Sequence, residues 1–282
     1  MGKVIAICNQ KGGVAKTTTA VNLSSYLATE GRKILLIDLD PQSNSTSGIG
    51  IDKQNVKTSI YNIMNGQMAI QDIIIETQVD NLHIVPSSLE LTGAEVELVN
   101  LMSREYRLAR ALEVIRNEYE FIVIDCPPSL GLLTINALTA ANSIIIPIQC
   151  EYYALEGLSQ LMNTINLIKD NLNRELEIEG VLLTMADFRT KLTKEVIDEV
   201  KRHFGNKVYR TVIPRTIKLT EAPGFGKPIV LYDKNSMGAK CYSNLAREVL
   251  GKSAQPIDNN IVMQEEMVEV NKEEKEYGEE VR

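Results

Sequence analysis

One stretch near the N-terminus constrains the fold more than any other: Lys11-Gly12-Gly13-Val14-Ala15-Lys16-Thr17-Thr18. Before it runs Val4-Ile5-Ala6-Ile7-Cys8, an apolar segment that reads as a β-strand. After it comes a helical pattern with Ala20, Val21, Leu23 and Leu27 apolar. A strand, a glycine-rich turn and a helix N-terminus make a phosphate site, because unpaired backbone N–H groups and the helix dipole both favour an anion there. At this spacing the Lys16 ammonium can reach the β- and γ-phosphates of a nucleotide, and the Thr17 hydroxyl can ligate Mg²⁺. The common pattern G-x-x-x-x-G-K-[ST] does not fit, since its glycines would fall on Gln10 and Ala15. What fits is a variant, K-G-G-x-x-K-[ST], with a second lysine at Lys11. A plain turn between strand and helix is the simpler reading. The hydroxyl after Lys16 and the carboxylates that end later strands argue against it.

The rest of the chain repeats the strand–helix alternation. Lys33–Asp38, Leu82–Pro86, Phe121–Asp125, Ile144–Ile148, Val181–Met185 and Val208–Ile213 read as strands. Phe121-Ile122-Val123-Ile124-Asp125 is a continuous apolar run, as expected of a parallel strand buried on both faces. Helical patterns cover Ser59–Asn65, Ile70–Ile75, a long amphipathic stretch Glu95–Asn117, Ala154–Lys169, Thr193–Phe204 and Ala239–Leu250. Arg104, Arg107 and Arg110 form a stripe on the long one, read as a solvated face. Residues 43–53 and Leu219–Pro228 read as loops. This order predicts an α/β fold: a doubly wound, mostly parallel sheet flanked by helices. Residues 1–252 are expected to form the domain and 253–282 an acidic, disordered tail.

Bulk properties exclude several classes. Of 30 basic and 37 acidic residues, three and nine fall between Ala254 and Arg282, so the remainder carries a net charge of −1 against −7 for the whole chain. A nearly neutral body can still hold a basic patch. No stretch approaches the ~20 apolar residues of a membrane span, and no signal peptide precedes the first strand, so a cytoplasmic protein is expected. Cys8, Cys126, Cys150 and Cys241 show no C-x-x-C spacing and suggest buried thiols, not a zinc site or a disulfide framework. His83 and His203 lack ligand-like neighbours and read as structural or surface residues.

In an open parallel sheet, ligands bind at the carboxyl ends of the strands. There the phosphate loop follows the first strand, Asp38 and Asp40 end the second, and Asp125 ends another. A lysine, a hydroxyl and carboxylates around one triphosphate describe a Mg-nucleotide site.

Together, Lys11 to Thr19, Asp38-Leu39-Asp40-Pro41-Gln42, Asp125-Cys126-Pro127-Pro128-Ser129 and Glu221-Ala222-Pro223 resemble the ParA/Soj partition ATPases of the deviant Walker A P-loop class. That class also includes MinD and nitrogenase iron protein. Tyr152 to Leu158 and Ile213-Pro214-Arg215 extend the likeness, which covers about residues 1–250. The resemblance implies that ATP closes a homodimer with two nucleotides at the interface. Lys11 of one subunit would then reach the phosphates of the other, as a γ-phosphate between two facing loops needs positive charge from both sides. It assigns the phosphate cradle to residues 11–18, with Gly12, Gly13, Val14, Ala15 and Thr18 beside Lys11, Lys16 and Thr17. Lys16 holds the β/γ-phosphates, and Mg²⁺ sits on Thr17, with Asp125 acting through water. Asp40 positions the attacking water, and Met185, Pro214 and Thr216 lie where the family contacts adenine.

The resemblance further implies double-stranded DNA bound without sequence preference, nucleoid association, and hydrolysis stimulated by a ParB-type partner in chromosome or plasmid segregation. Arg189, Arg215, Lys218, Arg247 and Lys252 are the candidate phosphate contacts; Arg189 and Lys218 match family positions. The alternative is a MinD-like membrane-associated positioning ATPase. That requires a C-terminal amphipathic helix with lysines on its polar face, and Ile261–Val270 is acidic instead. An electron-transfer ATPase would need paired cluster cysteines in a matching motif, which Cys126 and Cys150 do not form. A synthetase that phosphorylates a small carboxylate would need a pocket that nothing here marks. One departure from the family is Ala15, where glycine is nearly universal. If that position requires positive φ, alanine costs roughly 1 kcal/mol or more, and weakened or slowed ATP binding or hydrolysis is expected.

Overall fold

Strict alternation of buried side chains sets the layers. In the first strand Val4 and Ala6 face one hydrophobic core while Ile5 and Ile7 face the other, because successive residues of a strand point to opposite sides. Both faces of the sheet are covered, so β-strand positions such as 34–37 and 122–124 are apolar and fully buried. The computed structural model describes residues 1–151 and 158–253. Tyr152–Gly157, the start of the helix expected from Ala154, and the acidic segment from 254 onward lie outside them.

The chain runs β1 (Lys3–Ile7), α1 (Lys16–Thr29), β2 (Ile34–Asp38), α2 (Asn44–Gly48), α3 (Ile60–Met64), β3 (Ile75–Glu76), β4 (Leu82–Val85), α4 (Leu91–Glu97), α5 (Arg107–Glu113), β5 (Phe121–Asp125), α6 (Leu132–Ala140), β6 (Ser143–Gln149), α7 (Leu158–Asn171), β7 (Glu177–Ala186), α8 (Lys191–Phe204), β8 (Val208–Pro214), α9 (Ile217–Glu221), α10 (Ile229–Tyr232) and α11 (Met237–Val249). Among the described residues these strands form one sheet, ordered β3-β4-β2-β5-β1-β6-β7-β8. All pairings are parallel except β3 with β4 at the edge. Helices α1 and α11 cover one face; α3 to α8 supply the core on the other. The doubly wound expectation holds. No helix among the described residues is long and apolar enough to cross a membrane. All four cysteines are buried, and none forms a disulfide among the described residues. His83 is half-buried, its Nδ1 in a 2.8 Å hydrogen bond with the Tyr119 hydroxyl, and His203 lies exposed on α8.

Four local expectations fail, two of them through contacts between distant segments. The stretch 43–53 is not all loop: α2 forms because the Asp38 carboxylate accepts the Thr46 backbone N–H at 2.8 Å, anchoring the first turn. The amphipathic pattern Glu95–Asn117 is not one helix. It breaks where Leu101 is extended and Ser103 takes a left-handed φ of 53°. There Asn136 of α6 captures the chain, donating to the Arg104 carbonyl at 2.8 Å and accepting the Leu108 N–H at 3.2 Å. The arginine stripe is broken with it, Arg104 pairing with Glu105 at 3.0 Å. The span Ile70–Ile75 is a short 3₁₀ turn leading into β3. Leu219–Pro228 is mostly helical, because Thr216 caps α9 and Pro223 sits at the start of a 3₁₀ turn, where its missing N–H costs nothing.

Candidate nucleotide site

The register brings the charged strand ends together. Asp38 of β2 and Asp125 of β5 are direct neighbours, and Ile7 of β1 is level with Asp125 on its other side. The chain leaving Ile7 therefore rises beside both carboxylates. Its loop is fastened at three points: the Asn9 amide donates to the Pro147 carbonyl at 2.8 Å, Asn9 Oδ1 accepts the Lys11 N–H at 3.0 Å, and the Thr184 hydroxyl donates to the Val14 carbonyl at 3.2 Å. Gly13 has φ 73° and Ala15 φ 63°, on either side of buried Val14. Left-handed residues set between right-handed ones give the backbone curvature of an anion nest. A Cβ built on Gly13 would meet nothing within 4 Å, so that glycine is required by its φ and by the space it leaves in front of the loop. Ala15 is the N-cap of α1 and offers no side-chain cap, leaving the first N–H groups of a 14-residue helix for a ligand.

Lys16 is buried, and its Nζ donates to the Lys11 carbonyl at 2.9 Å, across the loop. Burial lowers its pKa, opposed chiefly by Asp125. The Asp125 carboxyl is pushed up to about 8, first by burial and then by Asp38. Asp38 is raised to about 6 by burial, against the hydrogen bonds from Thr46 and Asp40. Asp125 Oδ2 accepts the Ser45 hydroxyl at 2.8 Å, and the Thr17 hydroxyl also donates to this carboxylate. The buried Oδ1 of Asp125 has no hydrogen-bond partner. A lone acceptor beside a threonine hydroxyl at a helix N-terminus suits a hydrated Mg²⁺. Asp40 is nearly buried; its N–H donates to Asp38 at 3.2 Å and its Oδ1 accepts the Gln42 N–H at 2.9 Å. Lys11, Gly12, Gly13, Thr17 and Thr18 are all at least partly exposed around the same mouth.

The far end of the site lies across the sheet. Met185 is the last residue but one of β7 and Pro214 ends β8, with Ala186 opposite Pro214 and the Arg215 N–H donating to the Ala186 carbonyl at 3.1 Å. Met185 is half-buried with φ 51°, a strained value for a residue with a long side chain. The Thr216 hydroxyl is occupied in capping α9, accepting the Leu219 N–H at 3.4 Å.

Several participants are not legible in the sequence. Ser45 and Thr46 fall in a segment that reads as loop, yet they orient both carboxylates; Thr46 donates to Asp38 through its hydroxyl as well, at 2.7 Å. Their one cue is a serine/threonine cluster soon after Asp38-Leu39-Asp40. Asn9 and Thr184 carry no signal, because their roles depend on strand order.

The five basic candidates divide between opposite ends of the strands. Arg189, Arg215 and Lys218 follow β7 and β8 at the carboxyl end, where the nucleotide site lies. Arg189 pairs with Asp187 at 2.7 Å, Arg215 with Glu151 at 3.2 Å and Lys218 with Glu221 at 3.0 Å. Arg247 and Lys252 lie toward the amino end, where Glu248 of α11 accepts the N–H groups of Arg210 and Thr211 in the first half of β8. Lys252 bonds Glu30 at 2.5 Å, and Arg247 donates to the Ser253 carbonyl at 3.0 Å.

Comparison with known proteins agrees with this geometry. Residues 2–178 match the family described as AAA domain. The sporulation initiation inhibitor protein Soj of Bacillus subtilis is 59% identical over 249 residues, 88% of this chain and 98% of that protein. The chromosome partitioning protein ParA of Myxococcus xanthus is 52% identical, over 89% of this chain and 88% of its own. Among solved structures, cobyrinic acid a,c-diamide synthase from Mycobacterium smegmatis, with bound ATP analog and magnesium, superposes with a TM-score of 0.80 at 34% identity, over 92% of this chain and all of that one. The chain belongs to the Soj/ParA family of chromosome-partitioning ATPases.

Proposed function

We propose that this chain is an ATP-operated DNA clamp: with ATP and Mg²⁺ it closes into a homodimer that grips duplex DNA without sequence preference, and hydrolysis releases it. The observation that carries the reading is the convergence of a two-lysine phosphate loop with Asp38, Asp40 and Asp125 at the carboxyl ends of the strands, the same end of the sheet at which Arg189, Arg215 and Lys218 follow β7 and β8. Lys16 leaves the Lys11 carbonyl for the β/γ-phosphates, which restore the charge partners that its burial removed. Thr17 and a water on Asp125 would hold Mg²⁺, whose charge neutralises the phosphate oxygens. Asp38, locked by Thr46, fixes the strand end so that Asp40 can orient the attacking water. Lys11, at the exposed rim, serves the facing subunit's phosphates. Met185, Pro214 and Thr216 receive the adenine.

Pairing two subunits doubles the phosphates neutralised, so affinity rises on dimerisation and falls steeply with salt. The cellular role follows the relatives: segregation of a chromosome or plasmid with a ParB-type, DNA-bound partner that stimulates slow turnover. The synthetase reading has only the 34% structural likeness behind it, whereas the partitioning relatives reach 59%. The test is DNA binding with ATP, with ADP and without nucleotide across a salt series. Tight, salt-sensitive binding confined to ATP supports the reading; equal binding in all three states refutes it.

A further inference from the structure

Phe225 is 66% exposed, whereas the other three phenylalanines, Phe121, Phe188 and Phe204, are partly buried and pack against the cores. A lone exposed apolar side chain needs no explanation. This one is held outward by its surroundings. Its ring stacks on Tyr232 at 5.2 Å between centroids and 31° between planes. The Tyr232 hydroxyl donates to Glu221 at 2.8 Å, and the Lys218 ammonium lies 5.7 Å over the Tyr232 ring. The turn carrying Phe225 ends at Gly226, with φ 60°, where a Cβ would stand 3.0 Å from the Gly50 Cα and 3.4 Å from the Ser47 carbonyl oxygen. Backbone therefore meets backbone behind the ring, and the turn cannot settle inward.

The charges around the ring suit a polyanion. Lys218, Lys227 and Lys234 are at least partly exposed on neighbouring segments. Of the two nearby carboxylates, Glu221 is held by Lys218 and Tyr232, and Asp233 accepts backbone N–H groups of Asn235 and Ser236 at 3.1 and 3.2 Å. A rigid aromatic ring among lysines is the chemistry of proteins that press apolar side chains against nucleic acid while cations take the phosphates. We propose that Phe225, seated on Tyr232 beside Lys218, is an apolar contact to duplex DNA in the ATP-bound state. This rests on the DNA-clamp reading and adds an interaction that does not depend on charge.

That distinction supplies the test. Phosphate contacts release counterions and set the salt slope, and an apolar one does not. With ATP and a random-sequence duplex, Phe225→Ala should weaken binding about tenfold at every salt concentration without changing the slope. Lys218→Ala should make the slope shallower by about one. The chain has no tryptophan, so Phe225→Trp supplies a single indole, excited selectively at wavelengths where tyrosine does not absorb. It should keep wild-type affinity, and its emission should change on adding duplex with ATP but not with ADP. Unchanged affinity in Phe225→Ala overturns the proposal. So does a loss that reproduces the Lys218→Ala slope, or a variant that binds DNA normally but no longer responds to a ParB-type partner. If the unmodified chain ignores duplex in every nucleotide state, it is the clamp reading that fails.

Discussion

Ala15→Gly isolates the cost of a left-handed backbone at the phosphate loop. Ala15 sits at φ 63°, ψ 33°, where a Cβ crowds the backbone by about 1–2 kcal/mol. Glycine removes that strain but gains freedom in the unfolded chain, worth about 0.4–1 kcal/mol in the opposite direction. The net expectation is a stabilisation of about 0.5–1 kcal/mol, or about 1–4 °C in melting temperature for a domain of this size. The ligand-free loop already holds the left-handed turn, secured through Asn9 and Thr184. The strain is therefore carried by folding and not by binding, so in place of the weakened binding expected from the sequence, ATP affinity should move by less than about threefold, which is under about 0.7 kcal/mol. The assay is a thermal melt in EDTA without nucleotide, beside a titration with a fluorescent ATP analogue. An affinity gain of about tenfold with an unchanged melting temperature would refute the reasoning, because it would mean that the free loop relaxes and is strained only when nucleotide enters.

Lys16→Ala should abolish nucleotide binding, read by the same titration, while the fold survives, since removing a buried ammonium relieves its desolvation. Asp40→Ala should retain ATP binding and stop turnover, trapping a dimer; a monomer by light scattering with ATP present would contradict that role. Arg189→Ala should weaken DNA binding with dimerisation intact and flatten the salt slope by about one, whereas Arg247→Ala, toward the opposite end of the strands, should have a smaller effect; the reverse order would place the DNA at that other end. In EDTA without nucleotide, stability should fall as pH rises from about 5 to about 8. Asp38 and Asp125 titrate near 6 and 8 when folded but at about 4 when unfolded, so the native state holds more protons across that window. Asp125→Asn should remove the upper part of the slope in a pH series of melts, and an unchanged slope would argue against the raised value.

The sheet is legible in the sequence because its signals are local. Phe121 to Asp125 is apolar at every position up to its terminal carboxylate, a pattern that suits a strand buried on both faces. The phosphate loop is legible because Lys16 and Thr17 are set by spacing along the chain. What cannot be read depends on contacts between distant segments. The helix at Asn44–Gly48 exists because Asp38 waits eight residues before Thr46, and the long amphipathic pattern breaks because Asn136 reaches back to Arg104 and Leu108. The division of the five basic residues between the two ends of the strands likewise follows from the direction of α11 against β8, which no single segment encodes.

The central claim is that nucleotide state sets assembly, and through assembly the hold on DNA. The most direct measurement is the solution mass of the full chain, with and without a short duplex, in ATP–Mg²⁺ and in ADP–Mg²⁺. A 31.4 kDa monomer free of DNA is expected in ADP, and in ATP twice that mass, shifting onto the duplex. A single mass in both nucleotides, with the same occupancy of DNA, would contradict it.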